Sequence, residues 1–179
     1  MPGIPSEALA LAPLVSAIVG GHHSSGRGVH GLAHWGRVLE NGVRIAEATG
    51  AGTTIVRLFA IFHDARRVND HVDPGHGARG GALARAMRAK WLDLTNEEMD
   101  LLEYACARHT DGLTDAEATV QACWDADRLD LPRVRITVTP HRLCTDVARA
   151  AEMIAWAERR ARAGHAPDFV AHWTGGVIA

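Results

Sequence analysis

Apolar residues recur at helical spacing along nearly the whole chain, and this periodicity constrains the fold more than any other feature of the sequence. In the clearest stretch, Leu32, Trp35, Leu39 and Ile45 follow one another at roughly helical intervals, and Gly50 ends the pattern. Similar patterns predict helices at about 6–19, 31–49, 53–63, 74–91, 95–109, 114–131 and 146–163.

Little of the chain is left for β-structure. The one β-like run, residues 134–138, lies between Pro132 and Pro140 and is too short and isolated to form a sheet. Two capping boxes, each a threonine followed three residues later by a glutamate, mark helix starts instead: Thr95 with Glu98, and Thr114 with Glu117. With 179 residues, the chain has the size of one domain, and we expect that domain to be all-α.

Charge and composition exclude several classes of protein. The net charge of -2 argues against a general nucleic-acid binder, which would carry a basic excess. The apolar stretch 8–19 is interrupted by Pro13 and has no cationic segment before it, so neither a membrane span nor a signal peptide is predicted. Cys106, Cys123 and Cys144 are too few and too scattered for a disulfide framework. The expected location is therefore the cytoplasm.

Histidine and aspartate occur at positions that the helices can bring together. His34 lies on the second predicted helix, His63 and Asp64 directly follow the apolar run 58–62, and Asp127 lies inside a later helix. Imidazole nitrogen and carboxylate oxygen together suit Mn, Fe, Co, Ni or Zn. Ligands from separate packed helices can form a rigid site for such an ion. The pattern indicates a metal centre within a helical bundle.

The order of these residues resembles the HD-domain superfamily of metal-dependent phosphohydrolases. That family carries a histidine on a helix, a His-Asp pair after an apolar helix, and a distal aspartate in a later helix. The segment HWGRV at 34–38 is similar to the family's H-x-x-R-V helix, and ADRLD at 126–130 is similar to its A-D-x-L-D segment. The resemblance implies an HD-domain helical bundle at 30–165, between an N-terminal helix with a flexible segment (1–29) and a C-terminal tail (166–179).

The resemblance also implies a set of metal ligands. In the family pattern, one ion is held by the residues that correspond to His34, His63, Asp64 and Asp127. Some HD proteins add two histidines between the pair and the distal aspartate, and His76 and His109 occupy such positions. Asp64 would then bridge two ions. We therefore expect one or two divalent transition-metal ions per chain.

Candidate substrate and proton-transfer residues surround the His-Asp pair. Arg66, Arg67 and Arg79 are predicted phosphate contacts, because a guanidinium fork matches a pair of phosphate oxygens. Asp70 and His71 are catalytic candidates beside Asp64, with a proton-transfer role. The alternative is an ordinary surface role for the arginines and a turn-forming role for the polar residues of this loop.

Three further residues have two interpretations each. Asp125 competes with Asp127 as the distal ligand, and the family spacing favours Asp127. Asp130 lies one turn further along, where it is expected to support a ligating histidine. His30, one turn before His34, is either a supporting or proton-transfer group of the site or a surface histidine at a helix start.

These observations predict a metal-dependent phosphohydrolase that acts on a phosphate ester or nucleotide through a metal-activated water. Its partner is a small phosphorylated substrate rather than nucleic acid or a membrane, and assembly into a homo-oligomer is compatible with the sequence. Two alternatives remain open. One is a dinuclear-iron oxygenase of the HD type, and the other is a non-catalytic metal-binding HD module.

Overall fold

The computed structural model describes residues 6–21 and 28–173, and this part of the chain contains helices and no strand. The prediction of an all-α fold is confirmed. The helices are α1 (Ser6–Ala10), α2 (Ala12–Gly20), α3 (Leu32–Thr49), α4 (Thr53–Phe62), α5 (His76–Trp91), α6 (Asn96–Arg108), α7 (Ala118–Arg128), α8 (Asp146–Arg149), α9 (Ala151–Arg162) and α10 (Val170–Trp173). Short 3-10 turns cover Gly28–His30, Leu131–Val134 and Pro140–Arg142.

Helix α4 lies at the centre of the bundle. From Leu58 to Phe62 every side chain is buried, and α4 packs against α3, α5, α6 and α7. A helix that is apolar on all sides belongs in a core. The His-Asp pair follows α4 directly, so the chain delivers these two polar residues to the interior, where the surrounding helices meet.

The N-terminal helix differs from its prediction. The predicted single helix at 6–19 is divided into α1 and α2 at Leu11. Pro13 lies in the first turn of α2. Proline lacks an N–H and its ring clashes with the carbonyl four residues earlier, so it starts a new helix rather than continuing one. The flexible segment predicted to follow falls largely in residues 22–27, outside the described residues.

One predicted capping box is confirmed and the other is wrong. Thr95 Oγ1 accepts a hydrogen bond from Glu98 N (3.2 Å), and Thr95 N donates to Glu98 Oε2 (2.8 Å). Helix α7, in contrast, is capped by Glu117 itself, whose carboxylate accepts from the backbone N–H of Thr119 (2.8 Å) and Val120 (3.3 Å). The N-cap therefore lies three residues later than predicted, at Glu117 instead of Thr114.

The last predicted helix is also divided. It forms α8 and α9, which are separated by extended backbone at Ala150. Beyond α9, the C-terminal residues return to the N-terminal helices, because the fully buried Trp173 donates from Nε1 to Ala8 O (2.8 Å) and accepts from Ser16 Oγ through its carbonyl (3.3 Å). None of the helices in the described ranges has the length and apolar character to cross a membrane.

Candidate metal centre

Five helices bring the six predicted ligands to one place in the interior. His34 lies near the start of α3, and Asp127 near the end of α7. His76 opens α5, and His109 follows the last residue of α6. His63 and Asp64 follow α4, and all four histidines and Asp64 are buried.

Two glycines allow α5 to approach the neighbouring helices closely enough for His76 to join the cluster. A Cβ atom at Gly77 would lie 2.0 Å from Cys106 O, and one at Gly80 would lie 2.1 Å from Phe62 O. Real Cβ atoms do not approach a carbonyl oxygen this closely, so both positions exclude every other residue type in this packing. The first turns of α5 therefore lie directly against the ends of α4 and α6.

Each histidine of the cluster is fixed through its Nδ1 atom. In all four rings, Nδ1 lies within hydrogen-bond distance of an oxygen that can only accept, so Nδ1 carries the proton. The four acceptors are Asp130 Oδ2 for His34 (2.7 Å), Phe59 O for His63 (3.1 Å), Asp73 O for His76 (2.7 Å) and Cys106 O for His109 (2.7 Å). Consequently each Nε2 atom carries a lone pair, and that of His76 accepts a hydrogen bond from Arg67 Nη1 (3.1 Å).

These Nε2 lone pairs face one another in two pairs. The Nε2 atoms of His34 and His63 lie 3.0 Å apart, and those of His76 and His109 also lie 3.0 Å apart. Asp127 Oδ1 lies 3.6 Å from His34 Nε2 and 3.8 Å from His63 Nε2. A first-row transition metal holds such ligands at about 2.0–2.2 Å, which places neighbouring ligand atoms about 3 to 3.5 Å apart. The spacing within each pair fits a metal ion.

Asp64 connects the two histidine pairs. Its Oδ2 atom lies 3.5 Å from His34 Nε2 and 3.7 Å from His63 Nε2. Its Oδ1 atom lies 3.1 Å from His76 Nε2 and 3.8 Å from His109 Nε2. Oδ1 is buried and accepts no hydrogen bond from any described residue. A buried carboxylate that places one oxygen beside each imidazole pair has the arrangement of a ligand that could bridge two cations.

The protonation states of the cluster also suit metal binding, which needs neutral imidazoles and ionised carboxylates. Burial lowers the pKa of His63 to about 3 and lowers the pKa of His109 as well. Burial opposes ionisation of Asp127, but the adjacent His63 and Arg133 outweigh it and bring its pKa to about 2. For Asp64, burial is outweighed by His63 and by the hydrogen bond from His30, so its pKa lies well below the ordinary value.

Two further aspartates, Asp125 in α7 and Asp130 just after it, have structural roles. Asp130 accepts from His34 and from Arg37, whose Nε lies 2.7 Å from Oδ1 and whose Nη2 lies 3.0 Å from Oδ2. Burial would raise the pKa of Asp130, but these hydrogen bonds lower it. Asp125 points away from the cluster and accepts from the backbone N–H of Cys144 (2.7 Å) and Thr145 (2.8 Å).

The predicted substrate arginines do not lie together. Arg67 Nη1 lies 3.5 Å from Asp64 Oδ1 and 3.1 Å from His76 Nε2, so this guanidinium adjoins the cluster. Arg79 instead binds the carboxylate of Asp73 at 2.6 and 2.7 Å. Arg79 and Arg66 line a separate shallow depression. Of the three, the structure places only Arg67 at the candidate centre.

Asp70 and His71, the predicted proton-transfer residues, are exposed in the loop between α4 and α5. The backbone of His71 is held by Asn69 Oδ1 and by Arg67 Nη2, and the Asp70 carboxylate lies against Gly28. Neither residue is among the described groups that could hold a metal ion. These contacts are those of a surface loop.

Two further residues adjoin the cluster: His30, for which the sequence leaves two interpretations open, and Arg133, which the sequence does not predict. His30 Nδ1 lies 2.6 Å from Asp64 Oδ2, and Arg133 Nη1 lies 3.8 Å from Asp127 Oδ1. The position of His30 one turn before His34 was a usable signal for its supporting role. Nothing in the pattern around Arg133 indicates its position, because its contacts depend on how the turn after α7 packs.

A cleft of about 820 Å³ leads to the cluster from the surface. Asp127 and His109 are among the residues that line it, and residues 136–143 form much of its wall. This wall offers hydroxyl groups from Thr137 and Thr139 beside apolar Val138. Volumes of this size hold small organic molecules.

Comparison with family models, with curated proteins and with solved structures gives no match for this chain.

Proposed function

We propose that this protein is a metal-dependent phosphohydrolase of the HD type, which hydrolyses a phosphate ester of a small molecule, such as a nucleotide. The observation that carries the proposal is the bridging position of Asp64 between two histidine pairs, with a cationic side chain on either side. The two pairs would hold two divalent ions, one with His34, His63 and Asp127, and the other with His76 and His109. Asp64 would contribute one oxygen to each.

When bound at such a centre, divalent ions polarise a phosphoryl oxygen and make water a nucleophile near neutral pH. The protein's own contribution is to hold the ligands in place before substrate arrives. All four imidazoles are fixed through Nδ1, so their lone pairs need no reorientation. The ionised state of Asp64 and Asp127 follows from the same surroundings.

Arg67 and Arg133 supply the positive charge that favours a phosphate over a neutral substrate. Arg67 lies on the Asp64 side of the cluster and Arg133 lies on the Asp127 side, and the side chains are only 11% and 7% exposed. A guanidinium group in such a partly dehydrated position binds phosphate oxygens through charge-assisted hydrogen bonds. The cleft that Asp127 and His109 help to line has room for the remainder of the substrate.

The same bridging geometry supports a second candidate, a dinuclear-iron oxygenase of the HD type. Both functions use two ions joined by a carboxylate, and Asp64 meets that requirement for either. The flanking arginines favour the phosphohydrolase. The two candidates differ in what they consume: the oxygenase needs iron and takes up oxygen, whereas the hydrolase needs only water.

The test is release of inorganic phosphate from p-nitrophenyl phosphate and from a panel of nucleoside monophosphates, after loading with Mn²⁺, Co²⁺, Ni²⁺ or Fe²⁺. We expect metal-dependent turnover, its loss in Asp64→Ala, and a decrease in kcat/KM of roughly 100-fold in Arg67→Ala. Exposed Asp93→Ala and Arg162→Ala are matched controls that keep wild-type rates.

Two results would contradict the proposed hydrolase. Oxygen uptake by the iron-loaded protein, with no phosphate release, would favour the oxygenase. Tight metal binding with neither activity would indicate a module in which metal serves only the structure or an interaction.

A further inference from the structure

We propose that His30 is a positioning residue that fixes the bridging carboxylate of Asp64 and thereby makes the second ion site at His76 and His109. This inference rests on the two-ion centre of the proposed function. His30 is not one of the six proposed ligands, and its proposed role is to strengthen the binding of one of the two ions.

The contact between His30 and Asp64 is short and shielded from water. His30 Nδ1 lies 2.6 Å from Asp64 Oδ2, and the two side chains are 14% and 3% exposed. An ionised carboxylate can only accept, so His30 Nδ1 carries a proton and donates it. A hydrogen bond to a charged acceptor at this distance belongs to the strong class.

The backbone next to His30 is held by Arg133. His30 ends the 3-10 turn Gly28–His30, and Arg133 Nε donates to Val29 O in that turn (2.9 Å). Arg133 Nη1 also donates to Asp130 O at the end of α7 (3.1 Å). The turn is thereby tied to the element that carries Asp127. Edge contact with the His34 ring, at 6.0 Å between ring centroids, restricts His30 on its other side.

Fixing Oδ2 also fixes Oδ1, because a carboxylate is planar and has one free rotation about its bond to Cβ. With Oδ2 held by His30, Oδ1 points to His76 and His109. Among the described residues, Asp64 is the one carboxylate that could bind an ion together with His76 and His109. The His34–His63 pair has a second carboxylate, that of Asp127. Loss of His30 should therefore weaken the ion at His76 and His109 more than the other ion.

The experiment measures ions per chain by elemental analysis and the affinity of each ion by chelator competition with Co²⁺. We expect two ions in the wild type, and in His30→Ala a decrease of about 10–100-fold in the affinity of one ion, with the other unchanged. His30→Asn should restore most of the loss, because its side-chain amide places an N–H near the position of Nδ1–H. Exposed His172→Ala is the matched control.

Three outcomes would overturn the inference. Equal affinity for both ions in His30→Ala and the wild type would show that Asp64 does not need His30, while the proposed function stands. Loss of an ion in both His30 variants would make His30 a ligand instead of a positioning residue. A wild type that binds no ion even on reconstitution would remove the centre and the proposed function together. Thermal unfolding of the metal-free variants checks that each is folded.

Discussion

The Nε2 atoms of His76 and His109 lie 3.0 Å apart, although neither of them carries a proton. Both rings donate from Nδ1 to a backbone carbonyl, so two lone pairs face each other in a buried space. The same arrangement recurs at His34 and His63. Two such contacts cost free energy in the metal-free protein, and a cation between the nitrogens would replace each repulsion by coordination. The cluster thus has the arrangement of a site that could hold metal ions.

Metal binding should therefore stabilise the fold. An ion that binds only the folded state adds about 2.7 kcal/mol at a concentration of 100 times its Kd. For a chain of this length, that corresponds to a rise in Tm of about 5–10 °C. Differential scanning calorimetry with and without Co²⁺ measures the shift. Asp64→Ala is the informative comparison, because in this variant the shift should shrink to a small fraction; an equal shift would place the ion elsewhere.

Asp130 should matter for metal affinity through His34. Asp130→Ala removes the acceptor that orients the His34 ring, and we expect a decrease of about 10–100-fold in metal affinity. Asp130→Asn keeps an acceptor oxygen and should lose much less. Both variants leave the buried Arg37 guanidinium without its carboxylate, so both should unfold at lower denaturant concentration. Chelator competition and urea titration separate the two effects, and equal affinities in both variants would refute the orienting role.

For Gly80→Ala, helix propensity and packing predict opposite changes in the free energy of unfolding. Alanine is normally more stable than glycine in a helix by about 0.5–1 kcal/mol. At Gly80, however, the new Cβ would lie 2.1 Å from Phe62 O, so Gly80→Ala should destabilise the protein by about 1–3 kcal/mol and weaken metal binding. Gly20→Ala, with nothing within 4 Å, should be neutral or stabilising. Urea unfolding measures both, and a stabilised Gly80→Ala would show that α5 is not held this closely.

Trp173 should contribute to stability without affecting the metal centre. Its side chain is fully buried and bonded to Ala8 O, so Trp173→Ala should cost about 3–5 kcal/mol in the free energy of unfolding. Trp91→Ala, at a partly buried position, is the matched control and should lower the free energy of unfolding by less. Because the ligands lie on α3 to α7, metal content per folded chain should stay at the wild-type value. A loss of metal in folded Trp173→Ala would contradict this separation.

Much of the bundle follows from local sequence. Helices α3 and α4 begin and end within a residue or two of the predicted bounds, because their apolar faces are continuous and Gly50 separates them. The supporting role of Asp130 was also predictable, since a residue one turn beyond Asp127 lies on nearly the same helix face. Periodicity and spacing describe what happens within one helix or between adjacent turns.

Other features depend on packing between distant segments and leave little trace in the sequence. Arg133 contacts the turn at Val29, which is 104 residues away, and no local pattern encodes such a contact. The predicted start of α7 is wrong because Thr114 and Glu117 can both cap a helix. In the structure Glu117 is the N-cap, and its carboxylate accepts from the backbone N–H of Thr119. Residue type and the position three residues after His76 predict Arg79 as a phosphate contact, whereas in the structure its Nη2 atom lies 2.6 Å from Asp73 Oδ1.

The central claim is that the buried cluster holds two metal ions bridged by Asp64. The most direct measurement is metal content per folded chain by elemental analysis, on protein without a histidine tag, as purified and after reconstitution with Co²⁺. We expect close to two ions per chain after reconstitution, and no more than one in Asp64→Ala. Wild-type protein that stays folded and takes up no ion under these conditions would contradict it.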